Sequence, residues 1–491
     1  MSKFSIWETT RPGAWFSCVP GKNGFLPVSN PLQKLPHPYE IINDLLEDMK
    51  INNGGDLSKG IFHKKVYATL PIFDFESVTD VRLLAALQRD YCFLASAFCF
   101  EPCHLSMTES RKGVYGKARE ELPPQIAIPL VQLSRKNETF PWLDYAYGYG
   151  LNNACLKDGK DPTLFDSYDS IRLFNGNESE KGFINVHVAM VSHSGKLLDC
   201  QQKCLDSLAR KDRKTFNLHF QSHYEIFQNI ISTLQTMWKA SRKSEYLTFR
   251  TFIMGQIGNK ECFPKESVLY KGVNETKSFR GETGAQDSII PSIDSFLDLE
   301  YPCNGLTRYL FDLRRYRPKD HQAYIEFTAK ASKCLDFKSY CMDDVESSLI
   351  LLKNLNCLRM FRKKHWNLTK KYIMENTKHP VATGGTPITT WLPNQLGATL
   401  EYMQLVIYSI KESMVPLDQQ DFFKTLKIEI SDHIQTVMDE VQSLQPQFSR
   451  QEHESFLNNK LQDSFLNNKL QDSFLNNKLQ DSFHITRSQE S

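Results

Sequence analysis

The 491-residue chain has no surplus of charge of either sign. Lys and Arg number 59 against 57 Asp and Glu, a formal net charge of +2. No global field therefore favours nucleic acid or an anionic bilayer. It also lacks a C-x-x-C pair. Its 12 cysteines are scattered, the nearest being Cys99/Cys103 and Cys200/Cys204, at helix-turn rather than zinc-cluster spacing. Free thiols in a reducing compartment are the expectation. No run of about 18 apolar residues exists to span a membrane. The N-terminus, MSKFSIWETTRPGAW, has no hydrophobic signal segment. Strand-like alternation is rare.

What is present is helical periodicity. The hydrophobic fraction of 41% and 32 Phe are compatible with a large core. Helices are expected in VTDVRLLAALQRDYCFLASAF, capped by Ser77 or Thr79, and in PPQIAIPLVQLSRK, as one short helix or two broken at Pro129. From about residue 180 the pattern is more uniform. KGFINVHVAMVSHSGKLLDCQQKCLDSLARK, NLHFQSHYEIFQNIISTLQTMWKASRK and DDVESSLILLKNLNCLRMFRKKHWNLTKKYIME each read as a helix. The fold class is all-α. Residues 1–174 are read as a smaller N-terminal domain, 175–412 as a large helical domain and 413–446 as an added amphipathic helix. That helix carries a stripe of Phe423, Leu426, Ile430, Ile434, Val437, Val441 and Leu444, suited to docking on the core or on another chain. Residues 447–491 contain SFLNNKLQD three times. Nine residues turn a helix through about 180° beyond whole turns, so one face cannot collect the apolar clusters. A disordered tail without chemistry is expected there.

One histidine stands out. Leu358, Phe361, His365, Leu368 and Tyr372 share a helix face, so His365 points where the core should be. A buried imidazole needs a partner, because an unpaired buried polar group costs about 1–3 kcal/mol. A core histidine satisfied by a carbonyl or hydroxyl is the commoner case, and a metal is the alternative. His187 lies four residues after Phe183 on another helix face, as a core residue, an axial ligand or a distal hydrogen-bonding group. Arg250 is the one charge in LTFRTFIMGQIGN, and either snorkels outward or awaits a carboxylate. Gly281, Thr283, Gly284 and Ala285 form a loop of small residues open to a flat ligand, or an ordinary helix-entry turn. Thr383, Gly384, Gly385 and Thr386 read as a flexible polar loop without the lysine and spacing of a P-loop.

Taken in order, FLPVSNPLQKLP, ELPPQIAIPLVQLSRK, LFNGNESEKGFINVHVAMV, FRTFIMGQIGN, FRGETGAQDSIIPSID, LRRYRPKDH, FRKKHWNLTKKYI and ATGGT resemble the indoleamine 2,3-dioxygenase family, across about Phe25 to Leu405. The resemblance implies haem b, ferrous when active, with His365 as its proximal ligand. It implies Arg362 and Asp294 as an ion pair beneath the haem, and Thr283, Gly284 and Ala285 as the loop against haem and substrate. Arg250 would hold the substrate carboxylate, Thr383 the ammonium, and Tyr145 and Phe183 the indole. The implied partners are L-tryptophan or an indoleamine, O2 and an electron donor, with no nucleic acid and no membrane, in a cytoplasmic monomer. The implied product is N-formylkynurenine, the first step of the kynurenine pathway.

Three departures from the family pattern stand out. His187 replaces a Ser or Thr and is read as a catalytic group that contacts the indole N–H or bound oxygen, or as a second iron ligand. Glu245 and Tyr246 replace a Phe pair in the substrate slot. The segment between Tyr372 and Thr383 is short. A non-catalytic haem protein that binds oxygen or another ligand is the rival reading, and a haem-free helical scaffold is a third.

Overall fold

Capping side chains fix where the helices begin. In the computed structural model, which describes residues 7–110, 115–301, 305–374, 383–385 and 388–444, the helices include α1 (Val81–Ser110), α2 (Glu178–Ser192), α3 (Ser194–Ala209), α4 (Arg213–Gln235), α5 (Lys243–Arg250), α6 (Ile289–Phe296), α7 (Gly305–Arg314), α8 (Lys319–Cys334), α9 (Val345–Thr369), α10 (Ile388–Ser409) and α11 (Gln420–Leu444). The Asn177 side chain accepts from the Glu180 amide to start α2, Asp212 from Thr215 to start α4, and Asp344 from Ser347 to start α9. α1 begins at neither Ser77 nor Thr79. Asp80 supplies the cap, accepting from the amides of Arg82 and Leu83 at 2.8 and 3.1 Å. Pro129 does not split its helix, which runs unbroken over Pro124–Lys136. The proline removes one backbone hydrogen bond without ending the helix.

The class is all-α, as the periodicity indicates. Among the described residues β-structure is confined to a three-stranded sheet joining Glu121–Leu122, Val268–Tyr270 and Glu275–Lys277, and a two-stranded pair, Ala154–Leu156 with Tyr168–Ser170. α1 is the central helix of the N-terminal part. It is long and apolar enough to cross a bilayer, which the search for continuous apolar runs did not anticipate, yet 94% of its apolar window is buried inside the protein. The core of the later part is a bundle in which α4 packs on α3 and α9, and α9 on α10.

The helix expected over residues 181–211 is in fact two, α2 and α3, meeting at His193. The chain near Gly21 wedges into the junction. The Gly21 amide donates to the Gly195 carbonyl at 2.8 Å, and the Phe25 amide to Ser194 Oγ at 2.9 Å. A Cβ on Gly195 would lie 2.1 Å from the Lys22 carbonyl oxygen, so only glycine permits this approach. The N-terminal segment is held again by Asp320 on α8, whose carboxylate accepts from Thr9 Oγ1, the Thr10 amide and the Cys18 amide.

The amphipathic helix α11 docks on this chain's own core. Phe423, Leu426 and Ile430 are buried, and Glu429 and His433 both meet Arg359 of α9. Val437, Val441 and Leu444 of its stripe, the repeat tail, and the short segment between Tyr372 and Thr383 lie outside the described side chains.

Candidate active site

α9 carries His365 and Arg362 one turn apart, and the structure turns both toward a single cavity. Arg362 is anchored there rather than free to move. Its Nη2 donates to both Asp294 oxygens at 2.8 and 2.9 Å, and its Nη1 to the Gln395 carbonyl at 3.0 Å. Tyr301 donates its hydroxyl to Asp294 Oδ2 and completes the group. Asp294 and Arg362 are both largely buried, so each charge depends on the other. Desolvation nevertheless pushes the Asp294 carboxyl upward, against the pull of Arg362. Arg362 Nε, also buried, has no hydrogen-bond partner among the described residues.

His187, on α2, lines the same cavity. Burial, with a smaller contribution from neighbouring His365, lowers the His187 imidazole to about 4, and burial alone takes His365 to about 4. Both rings are therefore neutral at ordinary pH, the form in which imidazole ligates a metal. Tyr145 and Phe183 do not line the cavity. They stand behind His187, the Tyr145 hydroxyl 3.4 Å from His187 Nδ1 and the Phe183 ring 5.0 Å from the imidazole. Tyr145 is held by a short π-helical turn, Tyr145–Tyr149, whose cap, Asp144, accepts from the amides of Tyr147 and Gly148 at 2.7 and 3.0 Å.

Arg250 does not snorkel. It is fully buried at the end of α5, and its Nη1 donates to the Tyr115 hydroxyl at 3.0 Å. It is not on the cavity wall. Tyr246 interacts with Arg250 and packs on Phe183, ring centroids 5.4 Å apart, and Phe183 in turn packs on His187. Glu245 turns away from the cavity. Its carboxylate accepts from Ser179 Oγ and pairs with Arg242. Of the two departures at this point, only Tyr246 faces the aromatic wall, so no charge enters from Glu245.

Glycines lock three loops together beside the cavity. A Cβ on Gly281 would lie 2.3 Å from the Gly255 amide, and one on Gly385 2.1 Å from the Ile257 carbonyl oxygen. Gly281 therefore serves a backbone-to-backbone approach rather than a ligand. Thr283 caps the 3-10 turn Gly284–Gln286 by accepting from the Ala285 amide. Gly284 and Ala285 do line the cavity, and the space above Gly284 leads to the His187 ring. Thr383, Gly384 and Gly385 are buried, with the Thr383 carbonyl accepting from the Gly255 amide at 3.3 Å and Gly384 packed on Thr283. The expected flexible polar loop is an interlocked one.

Two side chains here escaped the sequence reading. Glu282, 2% exposed, has no hydrogen-bond or ion-pair partner for its carboxylate among the described residues, and burial with nearby Asp144 raises it to about 8. Arg317 lines the cavity beside Arg314. Their neighbours GETGA and RRYRP carry no periodicity that would mark either as buried.

Six named residues thus meet at one cavity: His187, Gly284, Ala285, Asp294, Arg362 and His365. Its other walls are largely apolar, with Met190, Leu234, Ile290, Leu310 and Phe361, and one edge is cationic. No three His, Cys, Asp or Glu side chains cluster as a metal site among the described residues. An iron held by His365 would therefore need further donors that these side chains do not supply. A porphyrin supplies them, and its apolar disc and carboxylate edge suit these walls and the buried Arg362 Nε.

In an all-α protein, an apolar, cation-edged cavity with two histidines on its wall would suit a haem. The family model for indoleamine 2,3-dioxygenase matches residues 18–393, and the chain belongs to that family. It is 23% identical over 413 residues to an indoleamine 2,3-dioxygenase of Aspergillus nanangensis, covering 78% of this chain and 95% of that one. An indoleamine 2,3-dioxygenase of Saccharomyces cerevisiae is 20% identical, with 73% and 79% covered. A 6-hydroxytryptophan 2,3-dioxygenase of Fusarium equiseti is 24% identical, with 72% and 82% covered. Membership places the chain among haem-dependent dioxygenases of indole compounds.

Proposed function

We propose that this chain adds both atoms of O2 across the indole C2–C3 bond of L-tryptophan, or of a related indoleamine, to give N-formylkynurenine and so begin the kynurenine pathway. The observation that carries the proposal is the pair His187 and His365 lining one cavity. Haem b held there supplies the oxygen activation that protein side chains lack. His365 is its protein ligand, a neutral nitrogen donor on a rigid helix. Arg362, clamped by Asp294, gives a fixed positive charge for a carboxylate at the edge. Thr283, Gly284 and Ala285 bound the opposite side with little side-chain bulk.

His187 faces the substrate space and offers a ring nitrogen to the indole N–H or to the oxygen being transferred. Tyr145 and Phe183 hold that imidazole in place and back the indole slot. Arg250 and Thr383 bind the carboxylate and ammonium of the amino acid, so that orientation supplies part of the rate. Arg250 interacts with Tyr246, so a shift of Tyr246 is part of this reading. The enzyme works as a cytoplasmic monomer and takes an electron from a separate donor to reach the ferrous state.

The test is anaerobic haem reconstitution of the full chain, then addition of L-tryptophan and oxygen while following N-formylkynurenine absorbance. Product is expected from the wild type and at least about a hundredfold less from His365→Ala, in keeping with loss of a ligand to the reacting metal. Turnover unchanged by that substitution would remove His365 from the site. One observation favours a second reading: a second neutral histidine on the same cavity suits a haem protein that binds oxygen or another ligand without turnover. A ferrous spectrum with both axial positions filled by histidine, and indifferent to L-tryptophan, would select it.

A further inference from the structure

Arg317 follows α7 and is 4% exposed; Asp287 lies near enough for its charge to act on it, yet among the described residues no carboxylate makes a direct ion pair with it. Its guanidinium has two fixed contacts. Nε donates to the Asp287 carbonyl at 2.9 Å and Nη2 to the Ala285 carbonyl at 2.8 Å. Nη1 is buried with no hydrogen-bond partner among the described residues, and the side chain lines the cavity that His187 and His365 share. Asp287, Arg314 and Asp294 line the same cavity; the charge of Asp287, and less strongly that of Asp294, favours the guanidinium, and Arg314 opposes it. Arg362 presents the contrast: equally buried, but with both Asp294 oxygens on its Nη2. A buried cation whose carboxylate neighbours make no direct ion pair with it is incompletely compensated. The cavity it lines is where a further anion can reach it. Burial drags the Arg317 guanidinium down to about 9, against the pull of Asp287.

We infer that Arg317 binds a carboxylate carried by the occupant of the cavity, and that this carboxylate is a propionate arm of the haem. The inference rests on the haem reading above. Arg317 and Arg362 then make a two-point clamp on the macrocycle edge. Because Arg317 also holds the Ala285 and Asp287 carbonyls, cofactor binding and the shape of the 284–287 turn are coupled through one guanidinium. The other source of the same chemistry is the carboxylate of the indole substrate.

The experiment titrates full-length apoprotein with ferric haem and with haem dimethyl ester, whose propionates are capped, following the absorbance change. It is run on the wild type, Arg317→Met and Arg317→Lys. A charge-assisted hydrogen bond lost at a buried site corresponds to about a tenfold weakening or more. The wild type is expected to bind the ester at least about tenfold more weakly than haem. Arg317→Met should weaken haem about tenfold while changing ester affinity little, so that the haem-to-ester ratio collapses toward the share owed to Arg362. Arg317→Lys, which keeps the charge, should recover part of that ratio. Equal loss for haem and ester in Arg317→Met would show a merely structural role and overturn the inference. An unchanged ratio, joined to weaker binding of L-tryptophan but not of tryptamine by the haem-loaded variant, would move the carboxylate to the substrate and overturn the propionate assignment. If the wild type binds neither haem nor ester, the haem reading itself fails.

Discussion

Single buried ionisable groups set how this molecule should respond to pH and to substitution. Glu282 is held protonated in the folded protein to about pH 8, while in the unfolded chain it ionises near the ordinary carboxylate value. Between those values the native state binds more protons than the unfolded state. Stability should therefore fall as pH rises through that window, by up to about 1.4 kcal/mol per unit. Glu282→Gln removes this loss. The variant should melt higher than the wild type at pH 8 and nearly match it at pH 4.5, as differential scanning calorimetry of the two would show. A lower melting temperature at both pH values would mean that the carboxylate has a partner in solution. Asp294 and Arg362 behave in the opposite sense, because each compensates the other. Asp294→Ala should cost about 3–5 kcal/mol by stranding a buried guanidinium, read as a shift in the denaturant midpoint. The paired Asp294→Leu, Arg362→Met variant should recover much of it, since an apolar pair of similar size strands no charge.

Helices and loops deliver these side chains, and glycine decides how closely they pack. His187 reaches the cavity because α2 lies against the short helix Met237–Ala240, where a Cβ on Gly182 would come within 1.9 Å of the Ala240 carbonyl oxygen. Gly182→Ala must push the two apart. A cost of about 1–3 kcal/mol is expected from such overpacking, together with a displaced His187, detectable as an altered spectrum of the haem-loaded protein. The control is Gly397→Ala in α10, where an added Cβ meets nothing within 4 Å and should be neutral or slightly stabilising. Helix identity was legible from periodicity, because a 3.6-residue repeat of apolar side chains is a property of the chain itself. The break at His193 was not, because a distant segment near Gly21 makes it. The cap at Asp80 was legible in kind only. Ser77, Thr79 and Asp80 are all capping residues, and the packing of α1 chose among them.

Across the whole molecule, burial of histidines ties stability to acidity. His223 and His321 are fully buried, the first lowered to about 4 and the second to about 3, chiefly by desolvation. An unfolded histidine titrates near 6.5, so from there down to the folded values the unfolded state binds more protons. Stability is full above about pH 6.5 and is lost as pH falls toward 4, each residue contributing up to about 1.4 kcal/mol per unit. His223→Gln, able to keep a hydrogen bond to Asn354, should flatten that slope in urea midpoints measured from pH 7 to 4.5. The sequence by itself determined the all-α class, the placing of His365 on an apolar helix face and the order of motifs that marks the family. Each of these is carried by residues near one another in the chain. Only the tertiary structure decided that His187 and His365 line one cavity, that Glu245 turns outward while Tyr246 faces in, that the Thr383–Gly385 loop is interlocked, and that Arg317 is buried without a direct ion pair among the described residues. Those outcomes depend on contacts between segments tens to hundreds of residues apart, and on desolvation, which no local pattern records.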